Sequence, residues 1–328
     1  MSQALDATAA LRGPRREGAA PPPAREAAAA PDVPRRIRLG MPQLDAAGLS
    51  ENWLFRHAGA LQWEAIGQRL GVSSDDLRDE TGARLYPTVV AVRARYDAGL
   101  AAHRENDGLD FSVEVVPCGR ACAHGRIVAA SRSTAGQSPS ALTRLLTLDV
   151  LTTFAARGPG GLRTTHLAPE LARAWSPPEP TTLPEPAISR LARAARRGEP
   201  VEDGFSGVAL ATLGPALGQI TYEPSPYADY NGAGLLYFAS YVTIADTAAR
   251  QILRRRDPGA ERRDWALATT PVRRDVYYYD NLPLGGALRA TLRLAERDAT
   301  GLVTHVRLSR ADDGRPMADV IARRQDVP

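Results

Sequence analysis

Lysine is absent from this chain: all 41 residues in the combined Lys and Arg count are arginines. That excludes chemistry built on an ε-amine, including a Schiff base, a pyridoxal phosphate anchor and a Walker-type phosphate lysine. Cysteine is nearly absent as well, with Cys118 and Cys122 in CGRAC and His124 two residues beyond. On one short strand-like segment these three side chains project to alternate faces. No second Cys pair or close His pair completes a tetrahedral set, so no metal centre is expected. The two thiols are expected to be reduced. No apolar run reaches the roughly 18 residues of a membrane helix, and the N-terminus has no apolar stretch of the secretory kind. A cytoplasmic protein with no membrane span is expected.

What is present reads as globular. At 328 residues, 44% hydrophobic and 24% charged, the chain is long enough for one large core or two ordinary ones, and two domains are expected. Residues 1–34 are Ala, Pro, Arg and Glu with hardly any large apolar side chain, and this arm is expected to be disordered. The net charge of +4 includes the arm's arginines, so it points to no nucleic-acid surface on the folded part. An anionic small ligand such as a coenzyme A phosphate is compatible with it.

One unit occurs twice. Residues 41–66, MPQLDAAGLSENWLFRHAGALQWEAI, and residues 222–246, YEPSPYADYNGAGLLYFASYVTIAD, both run from small polar turn residues into an apolar helix. Residues 52–70 are expected to be a helix that stops at Gly71. Strands are expected over 84–97, 111–117 and 123–131, the last two as an antiparallel pair. Residues 141–156 are either a long strand or a helix, with Thr and Val favouring the strand. A Pro-rich linker is expected over 158–188 and a short Arg-rich helix over 187–197. In the second unit WALATTPVRRDVYYYD, GALRATLRLAERD, LVTHVRLSRAD and RPMADVIARR read as strands, with ADDGR as the last hairpin turn. The expected division is thus 35–157, a 158–200 linker, and 201–328. Each half pairs one helix with a sheet that must wrap it.

The approach to each helix is the first candidate site. Free backbone N–H groups at a helix start suit a thioester or carboxylate oxygen. Ser50 and Asn52 in the first half, and Asn231, Gly232 and Gly234 in the second, are the candidate donors. Gln62 is a further group to orient a substrate oxygen. Asp45 and Asp229 precede the two helices at equivalent places and are candidate acids or bases, or turn residues bonding their own backbone. His57, His103, His166 and His305 have no Ser or Cys partner in a recognisable elbow, so no hydrolase triad is expected. Tyr277, Tyr278, Tyr279 and Asp280 read as a strand reaching a sheet edge, with alternate tyrosines facing core and ligand tunnel.

The segments DYNGAGLLYFASY, VRRDVYYYDNLPLGGALRATLRL and THVRLSRADDGRPMADVIARR resemble a hot dog fold, an α+β arrangement of a long helix in a curled antiparallel sheet. Together with GMPQLDAAGLSENWLFR, TGARLYPTVVAVR and HRENDGL they resemble the LnmK-like family, the double hot dog acyltransferase/decarboxylases of leinamycin-type polyketide biosynthesis. The resemblance covers about residues 37–328. It implies decarboxylation of a methylmalonyl-type acyl-CoA and transfer of the propionyl group to the phosphopantetheine thiol of an acyl carrier protein, with no cofactor beyond these. It also implies a catalytic tyrosine, which in this chain falls on Tyr86 in RLYPT, and a homodimer. Tyr86 precedes Pro87, which restricts it to extended backbone. Two other expectations stand beside this one: a hot dog thioesterase or dehydratase acting on a carrier-bound acyl group, and an acyl-binding component without catalysis.

Overall fold

The computed structural model describes residues 35–132, 143–158, 161–175, 185–199, 213–256, 268–299 and 301–327. The arm expected to be disordered and residues 201–212 lie outside them. The first half contains β1 (Arg35–Arg38), a small hairpin of β2 (Leu44–Asp45) and β3 (Gly48–Leu49), and α1 (Glu51–Leu70). It continues with β4 (Leu85–Tyr96), β5 (Gly108–Pro117), β6 (Cys122–Arg132) and β7 (Thr143–Gly158). The second half contains β9 (Gly218–Tyr222), α4 (Phe238–Arg256), β10 (Thr269–Tyr278), β11 (Leu288–Asp298), β12 (Gly301–Arg310) and β13 (Pro316–Asp326). Between them come β8 (Gly161–Thr164), α2 (Pro169–Trp175) and α3 (Ala187–Arg196).

Within the stretch read as a linker, residues 161–175 and 185–199 carry structure, and its Pro-rich centre, 176–184, lies outside the described residues. β8 pairs with β7, and Trp175 is buried against Phe154, ring centroids 5.4 Å apart. The ambiguous segment is a strand: in β7, Leu146, Leu148 and Val150 are buried in alternation with half-buried Thr147 and Asp149, the period of a pleated strand with one face on the core. α1 stops where the sequence places its stop, because Gly71 takes φ 68° and returns its N–H to the Gln68 and Gly67 carbonyls.

One sheet runs in the order β1-β5-β6-β7-β4-β10-β13-β12-β11-β9, with β8 off this path. With the β2–β3 hairpin and β8 set aside, each half read from its outer edge inward gives the same order: first, third, fourth, fifth and second strand. The two halves are thus related by an internal pseudo-twofold, and β4 meets β10 at the centre. The duplication reaches side chains on the sheet's outer face. His124 Nε2 lies 2.9 Å from Asp149 Oδ1 with Arg126 beside it, and His305 Nε2 lies 2.7 Å from Asp319 Oδ1 with Arg307 beside it. In both halves the Arg pairs across the ladder with the Asp.

α1 and α4 pack on the inner face and touch each other. A Cβ on Gly59 would stand 2.8 Å from the Phe238 ring, so glycine there permits the close crossing. Asn52 Nδ2 donates to the Ala239 carbonyl at 3.2 Å and to Thr243 Oγ1 at 2.9 Å, tying the helices together. Below them Arg274, fully buried, pairs with Glu51 at 2.5 Å and with Asp246 at 2.8 Å. On the outer face α3 lays Ile188, Ala192 and Ala195 over Ala91, Leu151, Tyr277 and Ile321, covering the central seam. Among the described residues no helix is long and apolar enough to cross a membrane.

Candidate active site

β4 and β10 pair only from Arg95 and Arg273 to Ala91 and Tyr277. Beyond that point β4 runs back to Leu85 paired with β7 alone, and a register shift between Val89 and Ala91 marks the parting. Tyr279 N–H has turned to the Met317 carbonyl on the other side. The sheet forks at its seam, and a cavity of about 650 Å³ fills the fork. Tyr86 to Val90 form one bank and Tyr278 to Asn281 the other. α1 contributes Gly59, Gln62 and Trp63, while the loop Asn231–Tyr237 and the first turn of α4 close the top.

Of the five tyrosines that line this space, four spend their hydroxyls on protein acceptors. Tyr278 donates to the Phe238 carbonyl at 2.9 Å and Tyr279 to Asp319 Oδ2 at 2.6 Å. Tyr241 donates to the Asp280 carbonyl at 3.3 Å and Tyr237 to the Arg56 carbonyl at 3.4 Å. Burial pushes the phenols of all four up from the usual value, so they stay protonated at neutral pH. The Tyr86 hydroxyl has no protein partner among the described residues. Its ring is fixed edge-on to Trp63, centroids 6.3 Å apart at 87°, and the Arg84 guanidinium lies 5.2 Å over it. Trp63 Nε1 is a buried donor that also lacks a partner among the described residues.

The amides fall into two roles. Gln62 is buried, its Nε2 held by the Val150 carbonyl at 3.2 Å, so its Oε1 is the end left to accept. Asn231 and Gly232 line the cavity, but not as a helix start: α4 begins at Phe238. Asn231 Oδ1 instead accepts from the N–H groups of Ala233 and Leu235 at 3.0 and 3.1 Å, building an Asx turn. Gly234 completes that turn at φ 68° and lies outside the lining. Asn281, which the sequence did not single out, clasps the loop by taking Leu236 N–H and returning its Nδ2 to the Leu236 carbonyl, both at 3.1 Å.

Four candidates lie elsewhere. Ser50 precedes α1 without a side-chain cap bond, and Asn52 is spent on joining the helices. Asp45 accepts from Ala47 N–H in the β2–β3 turn. Asp229 accepts from Ser225 N–H at 2.8 Å and Tyr222 OH at 3.2 Å, bracing the approach to α4. Both aspartates are turn residues, the other role the sequence allowed them. The tyrosine run departs from simple alternation: Tyr277 is buried under α3, while Tyr278 and Tyr279 both line the cavity because the strand ends there. The carboxylates of the lining are those of Glu64, which pairs with Arg35, and Asp280, 3.0 Å from Arg315. Among the described residues no cluster of His, Cys, Asp and Glu could hold a metal ion.

No protein-family model and no curated protein sequence matches the chain. Solved structures do. A protein assigned as an oleoyl thioesterase from Lactobacillus plantarum superposes with TM-score 0.59 at 14% identity, over 90% of this chain and 95% of that one. A 12:0-ACP thioesterase from Umbellularia californica gives 0.58 at 10% identity, over 90% and 94%. An acyl-ACP thioesterase from Bacteroides thetaiotaomicron gives 0.50 at 10% identity, over 89% and 97%. At such identities the likeness speaks for architecture alone, and the architecture is the α+β double hot dog fold.

Proposed function

We propose that this protein is an enzyme acting on an acyl thioester, with coenzyme A or a phosphopantetheinylated acyl carrier protein as the thiol. The observation that carries the reading is the Tyr86 phenol: the lining tyrosine left without a protein partner among the described residues, its ring held against Trp63, in a cavity between two helix-wrapped half-sheets. A phenol donor at the wall suits a thioester oxygen that gains negative charge during reaction. The thioesterases named above support thioester processing as the reaction class. In that class water attacks the carbonyl and needs a base; the lining carboxylate on the helix, Glu64, is the group for it.

A second reading, decarboxylation of a methylmalonyl-type thioester with transfer of the propionyl group, is favoured by a separate observation. Glu64 and Asp280 are both neutralised by arginines. Loss of CO2 leaves an enolate that takes up one proton, and it requires donors at the thioester oxygen and no base to activate water. Incubating the protein with a panel of acyl-CoA thioesters, with and without a carrier protein, and following mass separates the two. Free acid and CoA mark hydrolysis; a product lighter by CO2, on CoA or carrier, marks decarboxylation; unchanged thioesters throughout overturn both.

A further inference from the structure

The cavity touches five consecutive residues of β4, Tyr86 to Val90. Along a strand with both edges covered only alternate side chains reach one face, so this contact runs along the strand's edge. The main-chain groups on that edge follow from the neighbours. Phe154, opposite Pro87, sends its N–H to the Ala121 carbonyl and accepts from Thr165 N–H, both away from β4. Leu85 likewise sends its N–H to the Leu77 carbonyl, away from β7. Antiparallel alternation then turns the Pro87 carbonyl, and both the N–H and carbonyl of Val89, into the fork. Among the described residues no strand pairs with this edge between Leu85 and Val90. Proline at 87 agrees, since it has no N–H for the open edge to leave unpaired. On the opposite bank Arg196 Nη2 already takes the Tyr278 carbonyl at 3.0 Å, closing that side to pairing.

We infer that the Pro87–Val89 edge is a pairing strip for the pantetheine arm of the substrate, an inference that rests on the thioester reading above. Pantetheine is an extended chain with two secondary amides ending at the sulfur. An amide can add to an open strand edge as a peptide does. Val89 N–H donates to an amide carbonyl of the arm, and the Val89 and Pro87 carbonyls accept its N–H groups. The thioester end then lies at Tyr86, the next residue along the strip. The arm is common to coenzyme A and to a carrier protein, so the strip serves either source.

Val89→Pro deletes the N–H that faces the fork and leaves the β7 side of the ladder intact, whereas Val89→Ala keeps it. The full chain is titrated calorimetrically with pantetheine, with coenzyme A and with a phosphopantetheinylated carrier protein, which separates the two sources. Loss of one hydrogen bond predicts about three- to tenfold weaker binding of all three to V89P, with V89A within about twofold of wild type. Unchanged binding to V89P, or a loss confined to coenzyme A or to the carrier, overturns the strip. The thioester reading falls separately, if the wild type binds none of the three and turns over no thioester. Should V89P fail to fold, the wild type labelled with 15N-valine decides: the Val89 amide signal, identified by its absence in V89A, shifts on adding pantetheine. A signal that stays in place overturns the inference.

Discussion

Ala91 and Tyr277 form the last pair between the two half-sheets, and the cavity opens one residue beyond them. That pair marks where a continuous sheet becomes a fork with Tyr86 on one bank and Tyr278 on the other. Residues of both halves line the cavity, and neither half alone would enclose the space.

Tyr86→Phe removes the open phenol and keeps the ring against Trp63. Turnover of the accepted thioester is expected to fall by about 100-fold or more with little change in KM, the effect of deleting one donor to a developing oxyanion. Glu64→Gln then separates the two reactions. Steady-state kinetics should show a loss of about 100-fold if water is activated there, and less than about threefold if CO2 is lost.

Arg274 holds Glu51 and Asp246 together under the helices with its side chain fully buried. Arg274→Met leaves Glu51 without its cation and Asp246 with Arg324 alone, 3.1 Å away, and urea unfolding should show a loss of about 3–5 kcal/mol. A change below about 1 kcal/mol would mean that the network contributes little.

Stability should also depend on pH through His57 and His103. Burial is the largest cause lowering both below the usual 6.5, and for His57 the Arg35 charge adds to it. A histidine whose folded pKa is depressed stabilises the fold fully above the unfolded value. That stability is lost as pH falls through the folded value. Urea midpoints are therefore expected to drop between pH 7.5 and 5.5. His57 stacks on Trp53 at 5.2 Å with Nε2 buried and without a partner among the described residues, so His57→Phe should keep the packing and flatten part of that slope.

Gly125 lies under the Gln62 side chain, where an added Cβ would come within 2.7 Å of Nε2. Gly125→Ala is expected to push the Gln62 amide off the Val150 carbonyl and into the cavity, at about 1–3 kcal/mol of stability. Substrate KM should rise more than kcat falls, and an unaffected KM would remove Gln62 from the binding surface.

Much of the architecture was legible because local signals agreed with the fold. Gly71 ends α1, Thr and Val favour a strand over the helix that residues 141–156 also allowed, and Gly314 at φ 74° makes the last hairpin turn. The repeat of turn and helix foretold the pseudo-twofold. The site was legible only in part. Asn231 and Gly234 imitate a helix start, yet the Asx turn and the bridge from Tyr230 to Leu236 keep the chain out of α4 until Phe238. Trp63 and Asn281 meet the cavity through contacts with distant segments, and no local pattern announces those. The fork itself follows from where β10 leaves β4, a property of two strands far apart in sequence.

Under the proposed function, the fork processes an acyl thioester at Tyr86. The most direct measurement incubates wild type and Tyr86→Phe with acyl-CoA thioesters, methylmalonyl-CoA among them, and follows substrate and product by mass. Conversion of at least one thioester by the wild type is expected, with about 100-fold slower conversion by Tyr86→Phe. Equal conversion by the two proteins, or no conversion by the wild type, would contradict it.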